Sequence, residues 1–316
     1  MICRQDELQN VLNIRLDKTV RSGRVLRKNC NLKCIWCHGD LFLRNQSSRA
    51  LNNVRLVFLC RQIIAAVGKE ARIRIAGDGE PTLTGEELID LVQRLRAQSK
   101  IRDICITTNG TLLNGMANSL RKAGLDSVTI SLNSLNQGKY SEITGKDYLF
   151  GVLKGLDNAV SVGLKVKVNA IYTKYCESEV EEFIKLSRDY GIVVKFFELI
   201  DPEGLFKDKH LPMGKLKAML KERAEEAMPY DYPYSGTVYR VKGAIIDAKD
   251  SRAKNHCPIL TCPRRRQCTE GCRRYVRLGI DGIMQPCGVR KDNLLDLKVN
   301  CDRNGIRESL RSGGKL

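Results

Sequence analysis

Cys30, Cys34 and Cys37 fall within one short stretch, Cys30-Asn31-Leu32-Lys33-Cys34-Ile35-Trp36-Cys37. Thiolates at these offsets in a single loop can converge on one metal centre. Iron–sulfur clusters are held by cysteine sulfur, one per iron, so three ligands on a four-iron cluster leave one iron open. An open position is what a catalytic metal keeps and a structural metal fills. The alternative is a zinc knuckle with His38 as fourth ligand. Structural zinc sites usually pair two Cys-x-x-Cys-like arms, and the next cysteine-rich stretch begins only at Cys257.

That second stretch holds Cys257, Cys262, Cys268, Cys272 and Cys287, interleaved with prolines and charged residues. Such a segment makes a poor apolar core, which points to a second metal site; four sulfurs suit zinc as well as iron. Cys3, Cys60, Cys105, Cys176 and Cys301 stand singly and read as small hydrophobes or inert thiols. The odd total of 13 cysteines argues against a disulfide framework.

Other polar groups complete a candidate site. In Gly77-Asp78-Gly79-Glu80-Pro81 the glycines allow a ligand close to the backbone, and Glu80 could accept a hydrogen bond from an ammonium group. Arg74 and Lys167 sit in strand-like runs and carry fixed positive charge. Alternation puts Lys165 and Lys167 on one strand face and Val166 and Val168 on the other. Inside a barrel, two such lysines without an anion would be costly.

The elements that must position these groups are legible as runs. ARIRIAG, DICITTN, SVTISLN, KVKVNAIY and IVVKFFEL are short, rich in Ile and Val, and bounded by Gly, Asn or Asp. Helical stretches separate them at 86–95, 112–122, 152–162 and 179–189. Thr84 and Glu87 are spaced as a capping box, and Ala123-Gly124 and Val162-Gly163 read as helix stops. This alternation predicts βαβ units, an α/β fold and a parallel sheet. Six strands fit if VLRK, near 25–28, is the first. No G-x-G-x-x-G opens a helix, so a partial barrel is favoured over a dinucleotide-binding open sheet. The polar motifs then fall at the C-terminal strand ends, where barrel enzymes do their chemistry. Past residue 201 the pattern breaks. Residues 212–226 are helical in composition and 228–243 are turn-rich, then strand-like. The chain divides into a barrel at 1–201 and a smaller appendage at 202–316.

The 316 residues, 42% hydrophobic, can bury a substantial core. No run approaches the roughly 18 apolar residues of a membrane span, and charges interrupt the N-terminus where a signal peptide would be apolar. A cytoplasmic protein without a membrane partner is expected. A net charge of +18 suggests an anionic partner, a nucleotide or nucleic acid, or else a generally basic proteome. An RNA substrate is disfavoured because aromatics, the usual stacking platforms, make up only 6%.

The spacing C-x3-C-x2-C, with Trp36 before the last cysteine, resembles the signature of the radical S-adenosylmethionine (SAM) superfamily. The segment at 77–81 is similar to its GGEP motif, with Asp78 inserted. The succession Ile106–Leu113, Ala123–Asp126, Ser131–Leu135, Ile143–Asp147 and Val166–Ala170 narrows this to the MoaA-type GTP 3′,8-cyclase family of molybdenum-cofactor biosynthesis. The resemblance implies a partial (β/α)6 TIM-like barrel of the radical SAM type with a C-terminal auxiliary iron–sulfur region. It implies two [4Fe-4S] clusters and S-adenosylmethionine, which is cleaved to a 5′-deoxyadenosyl radical. The substrate would be GTP or another nucleotide, and the electron donor a flavodoxin- or ferredoxin-like protein. Cys30, Cys34 and Cys37 would hold the first cluster. Trp36, Gly79, Glu80 and Ser131 would contact the cofactor, and Arg74, Thr107 and Lys167 the substrate. Cys268, Cys272 and Cys287 match the auxiliary trio with each spacing one residue longer; Cys257 and Cys262 are further candidate ligands. The family's substrate-directed arginines correspond to Arg274 counting from Cys272, or to Arg277 counting from Cys287. Arg24 lies one residue nearer Cys30 than the family's N-terminal substrate arginine, and Ile200 replaces a usual methionine. A paralogue with an auxiliary cluster acting on another nucleoside, sugar, peptide or RNA is the alternative reading.

Overall fold

The structure is a computed structural model that describes residues 11–17, 30–37, 50–77, 79–201, 204–230, 236–250, 276–287 and 293–312. Strand β1 (Leu12–Asp17) is followed by α1 (Asn53–Val67), β2 (Ala71–Ala76), α2 (Glu86–Arg96), β3 (Ile101–Thr108), α3 (Leu113–Lys122) and β4 (Ser127–Ser131). The chain continues through α4 (Gln137–Thr144), α5 (Leu149–Ser161), β5 (Lys165–Tyr172), α6 (Val180–Tyr190) and β6 (Val193–Glu198). The remaining elements are α7 (Met213–Lys221), β7 (Glu226–Tyr230), β8 (Gly236–Val241), β9 (Ala244–Lys249), β10 (Val276–Gly279), β11 (Ile283–Gln285), β12 (Leu295–Asp296) and α8 (Arg303–Ser312).

One sheet has the order β12-β11-β10-β1-β2-β3-β4-β5-β6-β9-β8-β7. From β10 through β1 to β6 and on to β9, every neighbour is parallel. Antiparallel strands flank this run on both sides. The partial barrel expected from the alternation is present. Its six strands are extended by β10 and β9, which the chain supplies from beyond residue 201.

Period-two alternation decides which strand face is covered. On β2, Ile73 and Ile75 are buried and join Leu88, Leu91, Val92 and Leu95 of α2 in one core. Val166, Val168 and Ala170 do the same on β5. Fully burying each such Leu, Ile or Val contributes about 1.5–3 kcal/mol. Leu91→Ala, at a fully buried position, should cost about 2–5 kcal/mol. Helix α2 also has Glu86 and Glu87 in its first turn and Arg94 and Arg96 in its last, matching the helix dipole.

Several expectations need correction. VLRK at 25–28 lies outside the described residues, and the strand paired with β2 is β1, at Leu12–Asp17. The capping box at Thr84 does not form. Pro81 starts a short 3-10 turn over Pro81–Thr84, capped by the Glu80 side chain, and Gly85 precedes α2 with no side-chain cap. The Thr84 hydroxyl donates instead to the Pro81 carbonyl at 2.9 Å. The helix anticipated over 212–226 ends at Lys221, and Glu226 opens β7. The stops at Gly124 and Gly163 hold, with left-handed φ of 102° and 78°. No helix among the described residues is long and apolar enough to cross a membrane.

Candidate active site

The cysteine loop, residues 30–37, is fixed from two sides. Lys33 N–H donates to the Thr144 carbonyl (2.8 Å) and Ile35 N–H to the Ile143 carbonyl (3.0 Å), tying the loop to the end of α4. Gly145 follows with φ +68°, and a Cβ there would lie 3.3 Å from the Lys33 Cβ. The Ile143-Thr144-Gly145 segment is therefore a clamp for the loop. On the other side Asn31 Nδ2 donates to Thr111 Oγ1 at 2.8 Å, reaching the loop after β3.

Within the loop Cys30 and Cys34 are half-buried, and Cys37 is exposed. Burial pushes the Cys30 thiol up, opposed by the Leu32 amide; nearby Glu80 and Cys37 raise it further, and Asn109 lowers it. Leu32 N–H and Asn109 Nδ2 both point at Cys30 Sγ, at 3.5 and 3.8 Å. Donors aimed at a sulfur suit a thiolate ligand. Among the described residues no group of His, Cys, Asp or Glu converges as a single metal ion requires. A four-iron cluster asks each thiolate to serve its own iron, and three thiols on one anchored loop fit that group. The zinc candidate His38 lies outside the described residues.

Trp36 is buried against Ile143 and Leu199, with its ring 5.9 Å from that of Tyr175. Its indole N–H is buried without an acceptor among the described residues. A buried donor left over in this way leaves room for a ligand acceptor.

Glu80 occupies the loop after β2 and is only 3% exposed. Its Oε1 accepts from Thr82 N–H (3.0 Å), Thr82 Oγ1 (2.6 Å) and Thr108 Oγ1 (2.5 Å), and its Oε2 from Asn109 N–H (2.6 Å). This carboxylate locks the ends of β2 and β3 together. A carboxylate has about four acceptor sites, and the less used Oε2 is the oxygen with capacity for an ammonium donor. Gly79 precedes it and Ser131 closes β4, both at C-terminal strand ends. Asp78 lies outside the described residues.

The inner sheet face is polar. Arg277 on β10, Arg15 on β1, Arg74 on β2 and Cys105 on β3 are register partners in succession. Register partners on parallel strands share a face. Arg74 Nη1 donates to Thr107 Oγ1 (3.2 Å) and contacts Thr129 Oγ1 (3.5 Å), so the arginine level runs into the threonines of β3 and β4. Thr129 is in register with Lys167. Lys167 Nζ lies 3.8 Å from Asp247 Oδ2, while the buried Lys195 holds the same oxygen at 2.5 Å. The Tyr230 hydroxyl donates to Asp247 Oδ1 at 2.6 Å. Burial pushes the Asp247 carboxyl up, but Lys195 and then Lys167 outweigh it and hold it below the ordinary carboxylate value. Lys195 is thus neutralised in place, whereas Lys167 remains one-third exposed to the lumen.

The structure brings Arg74, Thr107, Lys167 and Arg277 onto one lumen. It places Cys287 buried just after β11, whose Gln285 is in register with Arg277. Ile200 is exposed beyond β6. Cys257, Cys262, Cys268, Cys272, Arg274 and Arg24 lie outside the described residues. Arg15, Thr129, Lys195, Tyr230, Asp247 and Asn109 were not anticipated as site residues. The alternation in Leu12-Asn13-Ile14-Arg15-Leu16, and the lone acid in Ala244-Ile245-Ile246-Asp247, carry the signal for two of them.

Comparison with known proteins agrees with this geometry. The Radical SAM superfamily model matches residues 26–192. A relative from Methanothermobacter thermautotrophicus, named probable GTP 3′,8-cyclase, is 32% identical over 305 residues, covering 95% of this chain and 90% of its own. One of the same name from Methanocella arvoryzae is 33% identical over 277 residues, covering 86% and 82%. Among solved structures, Streptococcus suis SuiB bound to S-adenosylmethionine superposes with TM-score 0.61 at 18% identity, over 92% of this chain and 64% of SuiB. This chain thus spans less than two thirds of SuiB's length. Native anSMEcpe with bound AdoMet gives TM-score 0.58 at 16% identity, over 95% and 84%. These structural likenesses speak to the fold. A three-cysteine loop above a parallel partial barrel, matched over more than half its length, marks a chain that belongs to the radical SAM superfamily, within the family of these two relatives, and an enzyme that uses S-adenosylmethionine with a four-iron cluster.

Proposed function

We propose that this enzyme is a GTP 3′,8-cyclase acting in molybdenum-cofactor biosynthesis, with Cys30, Cys34 and Cys37 as ligands of its SAM-binding cluster. The observation that carries the substrate reading is the shared level of Arg277, Arg15 and Arg74, continued by Thr107, Thr129 and Lys167. Guanidinium groups bind phosphate bidentately and keep their charge. A triphosphate along this wall would meet fixed positive charge, leaving the nucleoside towards the cysteine loop. Similarity to relatives named probable GTP 3′,8-cyclase over most of both chains supports the same substrate.

When bound, the cluster and S-adenosylmethionine would supply radical chemistry directed at the substrate's ribose. The chain's own contribution is to place the cofactor and shield the site. Trp36 would offer its buried N–H, Glu80 Oε2 would accept from the cofactor's ammonium group, and Gly79 and Ser131 would supply close backbone and hydroxyl contacts. Cys268, Cys272 and Cys287 are the ligands of a second [4Fe-4S] cluster, with Cys257 or Cys262 as a candidate fourth ligand and Arg274 as a further candidate substrate contact. The reductant is a flavodoxin- or ferredoxin-like protein.

Anaerobic reconstitution followed by S-adenosylmethionine, dithionite and GTP tests this. 5′-Deoxyadenosine together with a cyclised nucleotide supports it. 5′-Deoxyadenosine with GTP unchanged would reject the substrate.

A further inference from the structure

We infer that Asn109 is a positioning residue that sets the reduction potential of the SAM-binding cluster by donating a hydrogen bond to the Cys30 sulfur. The inference rests on the assignment of Cys30 as a cluster ligand made above. Asn109 is buried at the end of β3. Its amide has two acceptor sites and two N–H groups, and each has a partner. Oδ1 accepts from Thr111 N–H (3.0 Å) and Thr111 Oγ1 (2.8 Å). Nδ2 donates to Asn31 Oδ1 (2.8 Å) and reaches Cys30 Sγ (3.8 Å).

The orientation is determined rather than chosen. Oxygen and nitrogen of an amide are distinguished by their partners. Thr111 N–H can only donate, so the Asn109 atom facing it is oxygen, and the atom facing the sulfur is nitrogen. Three further bonds hold that arrangement. Asn31 Nδ2 donates to Thr111 Oγ1 at 2.8 Å, closing a ring of Asn31, Asn109 and Thr111. Asn109 N–H donates to the buried Glu80 at 2.6 Å. Thr108, which precedes it, donates to the same carboxylate at 2.5 Å.

The sulfur-facing N–H has an electrostatic consequence. A reduced cluster carries more negative charge on its sulfurs than an oxidised one. Donors to ligand sulfur therefore stabilise the reduced state and raise the potential. Leu32 N–H, the other donor at Cys30, belongs to the loop itself, whereas Asn109 is delivered from the barrel. The barrel thereby contributes to the ease of reduction through one side chain.

The test is a redox titration of the anaerobically reconstituted full chain. Electron paramagnetic resonance follows the signal that changes on adding S-adenosylmethionine, which identifies the correct cluster. Asn109→Asp keeps the oxygen that accepts from Thr111 and replaces the sulfur-facing N–H by an anionic oxygen. Its midpoint potential should shift negative. Thr111→Val removes the hydroxyl that helps hold the amide and leaves Asn109 itself; it should shift the same way by less. A role confined to stability would lower cluster occupancy without moving the potential of the assembled fraction. Potentials unchanged in the variants would overturn the inference, and if Asn109→Asp assembles no cluster, Thr111→Val alone decides. Absence of a SAM-sensitive signal in the unsubstituted chain would instead overturn the cluster assignment on which it rests.

Discussion

Arg15 and Arg277 are register partners on neighbouring parallel strands, although they come from opposite ends of the chain. Together with Arg74 they concentrate guanidinium charge at one height of the barrel. Arg15→Ala and Arg277→Ala should each weaken GTP binding by about 1.5–3 kcal/mol, roughly ten- to a hundred-fold. Guanosine, which has no phosphate, should bind the substituted and unsubstituted chains alike. Calorimetry with both ligands checks this, and an equal loss for guanosine would remove the arginines from the phosphate role.

Asp247 gives the lumen a pH dependence. Its carboxyl binds a proton less readily folded than unfolded, because Lys195 and Lys167 outweigh the cost of burial. Its stabilising contribution is therefore complete above the unfolded carboxylate value near 4 and is lost as pH falls through the lower folded value. Asp247→Asn leaves Lys195 buried without its anion and should cost about 3–5 kcal/mol at pH 7. In thermal melts the difference from the unsubstituted chain should shrink below about pH 4. A gap that stays constant across that range would show that charge is not its source.

The clamp at Gly145 predicts a coupling between backbone strain and metal retention. Ala in this left-handed position costs about 1–2 kcal/mol, and its Cβ would press on Lys33. Gly145→Ala should lower the melting temperature slightly and reduce iron retained at the N-terminal loop. Iron analysis in a chain also lacking Cys268, Cys272 and Cys287 isolates that site, and full retention there would contradict the clamp.

Replacing Cys30, Cys34 and Cys37 together by Ala should abolish 5′-deoxyadenosine formation while iron remains at the C-terminal cysteines. Chromatography and iron analysis on one preparation read both. Persisting cleavage would end the ligand assignment.

The sequence exposed some of this architecture and concealed the rest for physical reasons. β2 and β5 alternate cleanly because one face meets helices and the other a lumen, so Arg74 and Lys167 were legible as inward charges. β9 and β10 were harder to see. Their parallel partners β6 and β1 lie far away in sequence, and neither is joined to its partner by a short βαβ connection. Helix α1 carries little polar contrast across Leu56–Val67, with buried residues on most of its turns. At Thr84 the local motif lost to its neighbour, since Pro81 had already begun a turn that Glu80 caps. Asn109 lay within a recognised motif, but its partners Asn31 and Cys30 come from another loop, and only the folded chain brings them together.

The inner and outer faces of the sheet answer to different demands. Isoleucines and valines facing the helices carry the apolar burial, while arginines, lysines and threonines facing the lumen contribute little to that core. A change of inward residue leaves the alternate residues of the same strand, and their helices, where they were. Descendants of such a chain can exchange the molecule they act upon, one lumen position at a time, while inheriting the scaffold intact. The carboxylate of Asp247, which ties Lys195 and Tyr230 together across strands, is where that freedom should be narrowest.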